Sequence, residues 1–269
     1  MKKSILTAFI FLGIFTISCS SDDGNNGGST SNFLPLTTGD QWTYDVIGGG
    51  AVQTDILSVG NNITINGKVY KQMQTASDPN GFYSLTLRNN GLRKDGAKWL
   101  LQGTLDFGDD LPLPINFALN DFVILDGNAS NGAILSNLEG TETQDLSGFP
   151  VTVTYKLRTI SQGTQSSFTT PAPQNQTYQN VKVVKVELRL KITTTQTLVP
   201  GFPPITVTIL DDQAVVNSTQ YYVQNIGMVY NNTDFQYNLA INPSQFNLPI
   251  PQSSSQNQKE FLVAHQVAN

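Results

Sequence analysis

One cysteine and one histidine are all that 269 residues contain of those two types, and each scarcity closes off a class of chemistry. With Cys19 alone, no intrachain disulfide and no thiolate metal site can form. His265, near the C-terminus, is the sole imidazole, so a histidine-rich metal centre is excluded, and the strand pattern around it reads as a surface position. No Gly-x-Ser-x-Gly turn offers a nucleophile, and no cofactor motif is present. Charge is sparse as well: Asp, Glu, Lys and Arg make up 13% of the chain. The net charge of −5 becomes −7 if Lys2 and Lys3 are removed with a presequence, and no basic stripe occurs, so no nucleic-acid partner is expected. Helical patterning is missing too, because no segment of helical length keeps a 3.6-residue apolar period.

Apolar length is scarce at the N-terminus. Lys2 and Lys3 precede an uncharged run from Ile5 to Ile17, the order of a secretory signal peptide. As a helix this run covers roughly 20 Å, short of the roughly 30 Å of a bilayer core, so it targets and does not span. It ends in Thr16-Ile17-Ser18-Cys19, which resembles the lipobox of bacterial lipoproteins. That resemblance implies cleavage before Cys19 and fatty acylation, palmitate included, at its thiol and new N-terminus. Two or three chains, at about 0.8 kcal/mol per buried methylene, hold a protein on a membrane stably. Ser20, Ser21, Asp22 and Asp23 follow and resemble an acidic export tag that sends lipoproteins to the outer face of the outer membrane. The segment from Ser20 to Asn32 holds only Ser, Asp, Gly, Asn and Thr, a solvated tether reaching on the order of 20 Å. The expected organisation is a signal peptide over 1–18, a lipidated cysteine and tether over 19–32, and one folded domain over 33–269.

What the mature chain has in abundance is period-two alternation. Val151, Val153, Tyr155 and Leu157 alternate with Thr152, Thr154, Lys156 and Arg158, and Ile205, Val207 and Ile209 do the same against threonines. From Val181 a longer pattern changes phase, with Val181 and Val183 odd but Val184, Val186, Leu188, Leu190 and Ile192 even, which predicts a β-bulge near Val183-Val184. Further strands are predicted from Gln41, Lys68, Phe82, Lys98, Thr219, Asp234 and Lys259, separated by turns such as Asn66-Gly67, Asn90-Gly91 and Asp95-Gly96. The fold class expected is all-β: a single domain of about a dozen long, curved antiparallel strands forming a half-barrel or open barrel, with a β-sandwich as the alternative. The stretch NFLPLTTGDQWTYDV from Asn32, the hairpin Asn66-Gly67-Lys68-Val69-Tyr70, and Tyr221-Tyr222 with Gly227-Met228-Val229 resemble a family of uncharacterised lipid-anchored β-proteins. That family implies a wrapped sheet akin to lipoprotein-carrier half-barrels and brings no catalytic residues.

Candidate chemistry is thin. Asp106, Asp109 and Asp110 cluster, and Asp121 and Asp126 flank a short strand; a suitably spaced carboxylate pair would make a glycoside hydrolase, but acids at strand ends read first as turn residues. Asp126, Asn128 and Ser130 have calcium-loop spacing, yet Asn131 and Asn137 stand where such a loop needs Gly and Glu, so no metal is expected. Trp42, Trp99, Tyr221 and Tyr222 could stack on a glycan, though alternation makes them core residues first. Three proline-punctuated loops stand out. The first carries Leu111, Leu113, Ile115 and Phe117, the second Leu198, Val199 and Phe202, and the third Phe246, Leu248 and Ile250. They would either plug the open side of the curved sheet or line the mouth of a cavity for a lipid or other apolar small molecule. The functional expectation is a lipid-anchored, non-catalytic binding module that meets the membrane through its N-terminal lipid. A structural or accessory protein of a polysaccharide-uptake or adhesion system is the alternative.

Overall fold

The structure, a computed structural model, describes residues 31–106, 116–146, 149–196, 203–246 and 250–268. Among these, twelve strands form one antiparallel sheet. In chain order they are β1 (Gln41–Gly48), β2 (Ala51–Ile65), β3 (Lys68–Thr75), β4 (Gly91–Asp95), β5 (Lys98–Asp106), β6 (Asn116–Asp126), β7 (Ile134–Leu146), β8 (Phe149–Thr169), β9 (Thr177–Gln196), β10 (Ile205–Val223), β11 (Gly227–Asn238) and β12 (Ser253–Gln266). A short helix, α1 (Phe82–Leu87), lies between β3 and β4.

Consecutive strands are neighbours except at one place. The spatial order runs β6-β5-β4-β3-β2-β1-β12-β11-β10-β9-β8-β7, so β1 pairs with β12 and the two free edges belong to consecutive strands, β6 and β7. The sheet curls until these edges meet, giving a nearly closed barrel and removing the sandwich alternative. At the seam, side chains replace the missing ladder: the Val123 amide donates to Ser136 Oγ at 2.7 Å, and Thr159 Oγ1 donates to the Val123 carbonyl at 2.5 Å. Farther along, Tyr155 reaches across Gly140 of β7, where any Cβ would sit 2.5 Å from the tyrosine hydroxyl, to meet Phe117 of β6 edge-on at 4.9 Å. Register shifts at Val59/Asn62, Leu101/Gly103, Ser161/Thr164 and three places in β10 supply the curvature.

Because each hairpin reverses direction, the connections alternate between two barrel ends. At the end where β1 begins, which we call proximal, the segment leading in from residue 31 forms a floor. Leu34 is buried and its carbonyl accepts from Trp99 Nε1 at 2.8 Å, the Asn32 carbonyl accepts from the Asn225 amide at 2.6 Å, and Asp40 accepts from the amides of Thr37 and Ala268. The strand ends bracketing 107–115, 147–148, 197–202 and 247–249 all lie at the opposite, distal end.

One sequence expectation is overturned. The stretch from Phe82 is α1 and not a strand. It enters the barrel lumen, where Tyr83 packs edge-on against Tyr44 at 5.8 Å and Tyr222 at 6.1 Å, and Phe82 against Phe235 at 5.9 Å. The phase change in β9 does coincide with a ladder irregularity: toward β10 Val183 and Val184 pair with Tyr221 and Gln220 in unbroken register, but toward β8 the register shifts between Ser161–Val184 and Thr164–Lys182, with the extra residue on β8. Both faces are buried there because the β8–β9 hairpin folds back over the outer wall. Phe168, opposite Tyr178, would lie roughly 17 Å along a straight ladder from Val183, yet its ring stacks on Tyr221 at 3.9 Å. Gly163 (φ 77°) and Asn180 (φ 54°) are in left-handed conformations on either arm of the bend. The flap so formed covers Val181, Val183, Tyr230 and Phe261 on the outside of the barrel, and all four are buried.

Candidate functional site

The lumen holds a buried polar cluster where α1 begins. Asp55 of β2 accepts from the amides of Asn80 and Gly81, the latter at 2.7 Å, and from Asn80 Nδ2 at 3.0 Å. Gln258 Oε1 accepts from the Phe82 amide at 2.7 Å, and Glu260 Oε1 accepts from the Tyr83 amide at 2.9 Å and from Asn231 Nδ2 at 2.7 Å. Asn231, Thr233 and Ser218 then close a ring of hydroxyl and amide bonds of 2.6–3.0 Å. Four successive amides that would otherwise be orphaned at the start of a helix are thereby satisfied from strands distant in sequence. Among the described residues, Glu260 Oε2 has no partner of hydrogen-bond geometry, and it sits against Gly81, where a Cβ would collide with the carboxyl.

Burial, aided by the nearby Asp55 carboxylate, pushes Glu260 up to about 7 against the opposing influence of the Tyr83 and Ser84 amides and Asn231. The same burial, with the charge of Glu260, holds the hydroxyls of Tyr44 and Tyr222 well above the ordinary tyrosine range. Asp55 and Glu260 are 1% and 0% exposed, so this carboxylate pair meets no substrate from solution and serves to seat the helix.

Behind the seam lies a cleft walled by Leu119, Phe122 and Ile124 on one side and by Leu157, Thr159 and Val186 on the other, with Tyr83 and Leu87 of α1 at its back. Its volume is about 20 Å³, room for about one water and not for an acyl chain.

The other sequence candidates fall as follows. Cys19, Ser20, Ser21, Asp22 and Asp23 lie outside the described residues, as do Asp109, Asp110, Leu111, Leu113, Ile115, Leu198, Val199, Phe202 and Leu248. Phe117 is buried in the seam wall, Phe246 ends a 3-10 turn (Pro243–Phe246), and Ile250 packs half-buried against the core. Asp121, in a left-handed conformation at φ 49°, is held by Lys68, by Arg93 through paired bonds of 3.0 and 3.1 Å, and by Tyr70 at 2.6 Å. Chiefly through Arg93, its carboxyl lies well below the usual range, which suits an ion-pair anchor and not a general acid. Asp126 accepts from the Asn128 amide at 2.9 Å, an Asx-type turn. Trp42, Trp99 and Tyr222 are fully buried, and Tyr221 carries Phe168 on its ring face. Among the described residues, no three His, Cys, Asp or Glu side chains gather as a metal site would require, and no helix is long and apolar enough to cross a membrane. Sequence reasoning missed the Asp55–Glu260 cluster altogether; a Glu directly beside the apolar run Phe261-Leu262-Val263 was its one visible sign.

No protein-family model matches the chain, and no curated protein matches it. Two solved structures are similar over 88% of this chain and 99% of their own. One, from Parabacteroides distasonis, is provisionally described as a lipoprotein and shares 14% identity at a TM-score of 0.42. The other, from Bacteroides fragilis, is provisionally described as an exported protein with a YmcC-like fold and shares 14% identity at a TM-score of 0.31. Likenesses this distant do not bear on what the chain binds or does.

Proposed function

We propose that this chain is a lipoprotein acylated at Cys19, tethered to the outer membrane facing the exterior, and that its barrel is a non-catalytic binding module for an apolar small molecule or lipid. The observation that carries this reading is the barrel's polarity. The tether joins the proximal floor, while the strand ends that bracket the three apolar, proline-punctuated loops converge at the distal end. A lumen filled by α1 and the core, with a cleft of about 20 Å³, leaves the distal rim as the place for an apolar ligand. Binding and not catalysis is supported by the carboxylates: Asp55 and Glu260 are sealed inside, and Asp121 is neutralised by its cations.

The barrel over 31–269 contains every strand of the sheet and can be titrated with an environment-sensitive fatty-acid probe. Saturable uptake, weakened several-fold by Ile250→Asp at the described edge of the rim, is the expected outcome. No saturable uptake by well-folded protein removes the apolar-ligand reading.

A further inference from the structure

The outer wall of β7–β10 carries a groove of about 590 Å³ whose chemistry is unlike the rest of this acidic molecule. Its lining includes four cations, Lys156 and Arg158 from β8 and Arg189 and Lys191 from β9, against two acids, Glu139 and Asp212. Leu157, Leu188 and Leu190 between them point into the core, so the cations share the outward face.

The arrangement is costly as a stability device. Lys156 and Arg189 stand directly opposite each other in the β8–β9 ladder, a like-charge pair of the kind that destabilises a sheet. Among the described residues each is relieved from a flanking strand, Lys156 by Glu139 at 3.1 Å and Arg189 by Asp212 at 3.1 Å, and both acids are more than half exposed. Lys191, opposite Thr154, forms no ion pair among the described residues. Arg158 is bound to Glu187, which Lys185 also holds at 3.0 Å, fixing the cationic row in place. The positive field shows at Glu139, whose carboxyl is lowered first by its bond to Lys156 and last by the charge of Arg158. Thr141 and Thr154, with hydroxyls 3.2 Å apart, add neutral hydrogen-bonding groups along the floor.

We infer that this groove binds an extended anionic oligosaccharide, with carboxylates of successive sugars seated on Lys156, Arg189 and Lys191 and ring hydroxyls on the two threonines. Cations spaced roughly 5 Å across strands and 7 Å along them match charges repeated along a chain, and the hydroxyl-rich lining suits a hydrated sugar better than an acyl chain. The groove also lies roughly 20 Å along β9 from the level of the proximal floor and opens sideways, which favours a soluble polyanion over the bilayer that would hold the anchor. The site is independent of the distal rim and does not rest on the apolar-ligand reading.

The test is calorimetric titration of the mature protein in nonionic detergent with linear trigalacturonate, maltotriose and inorganic phosphate, beside flotation with phosphatidylglycerol vesicles. Expected are saturable binding of trigalacturonate that weakens at least threefold between 50 and 200 mM salt, as an exposed charge contact should, and none of maltotriose. Lys191→Gln, which leaves no acid unpaired, should weaken it at least threefold and Lys156→Gln/Arg189→Gln at least tenfold, while Lys259→Gln on β12 changes nothing. Equal binding of maltotriose, affinity unaltered in Lys191→Gln, binding of phosphate or vesicles without trigalacturonate, or no binding at all overturns the inference.

Discussion

Glu260 concentrates the molecule's internal electrostatics in one side chain. Its surroundings are Asp55 and the hydroxyls of Tyr44, Tyr83 and Tyr222, and the amides of Tyr83 and Ser84 with the Asn231 side chain offset only part of the desolvation. A carboxyl raised from 4.5 to about 7 on folding keeps its proton in the native state after the unfolded chain has lost it. The folded form therefore binds more protons between those two values, and its stability falls as pH rises through that window and levels off above it. The loss is about 3 kcal/mol, an order-of-magnitude figure from the shift at 1.36 kcal/mol per pH unit. In Glu260→Gln this dependence should disappear. Urea unfolding of both proteins at pH 5, 6, 7 and 8 should show the wild type losing ground to the variant as pH rises, with most of the change complete by pH 7.5. A difference that stays constant across the series would mean that the carboxyl does not titrate there. Gly81 belongs to the same local fit, since only a residue without Cβ lets the backbone lie against the carboxyl.

At the scale of elements, the legible strands were those with one face in the core and the other in water. The β8 pattern alternates because the barrel wall does, and Asn66-Gly67, both at positive φ, makes the tight hairpin its sequence announces. β2 and β7 were not legible. The first four residues of β2 are exposed, and β7, an edge strand, pairs polar residues such as Glu139 and Thr141 with Lys156 and Thr154, so neither gives a strong period-two signal. α1 was misread because FYSLTL alternates as a strand would, while the groups that seat it, Asp55, Gln258 and Glu260, lie 25 to 177 residues from the amides they bind. The candidate site was illegible for the same reason, being assembled from β2, β10, β11, β12 and the loop before α1. The doubled phase of β9 reported a real feature, burial on both faces, whose cause is the folded-back flap. That flap is held by a few aromatic contacts, and Phe168→Ala removes the one that bridges it to both Tyr221 and Tyr230. A buried aromatic contact of this kind contributes about 1 kcal/mol beyond its area. Hydrogen exchange should accordingly quicken at least tenfold at amides from Thr164 to Lys182 and stay unchanged in β1 and β12. Tyr230, raised to about 12 by burial, should titrate closer to 10 in the variant, as followed by ultraviolet absorbance.

For the molecule as a whole, the decisive asymmetry is that the floor continues into the segment the proposed anchor would use as its tether. Residues 33 and 34 are core residues of the proximal end, so a chain anchored at Cys19 meets the barrel at that end and nowhere else. The proposed tether would add on the order of 20 Å, while the β9–β10 ladder from Lys182 to Gln196 carries the wall roughly 50 Å along its length. Tilt shortens that span but cannot reverse it, and the distal turns, such as Gly49-Gly50, should stand well clear of the bilayer. Paramagnetic headgroup lipids test this directly. In bilayer-reconstituted mature protein, amide signals at Asn225 and its neighbours in the proximal β10–β11 turn should broaden, while those at Gly49 and Gly50 should keep their intensity. The Cys19→Ala protein should show neither effect and should leave the membrane fraction on sedimentation. Equal broadening at both ends would mean that the barrel lies flat and presents its wall to the headgroups. Broadening confined to Gly49 and Gly50 would put the distal loops, and not the tether end, against the membrane.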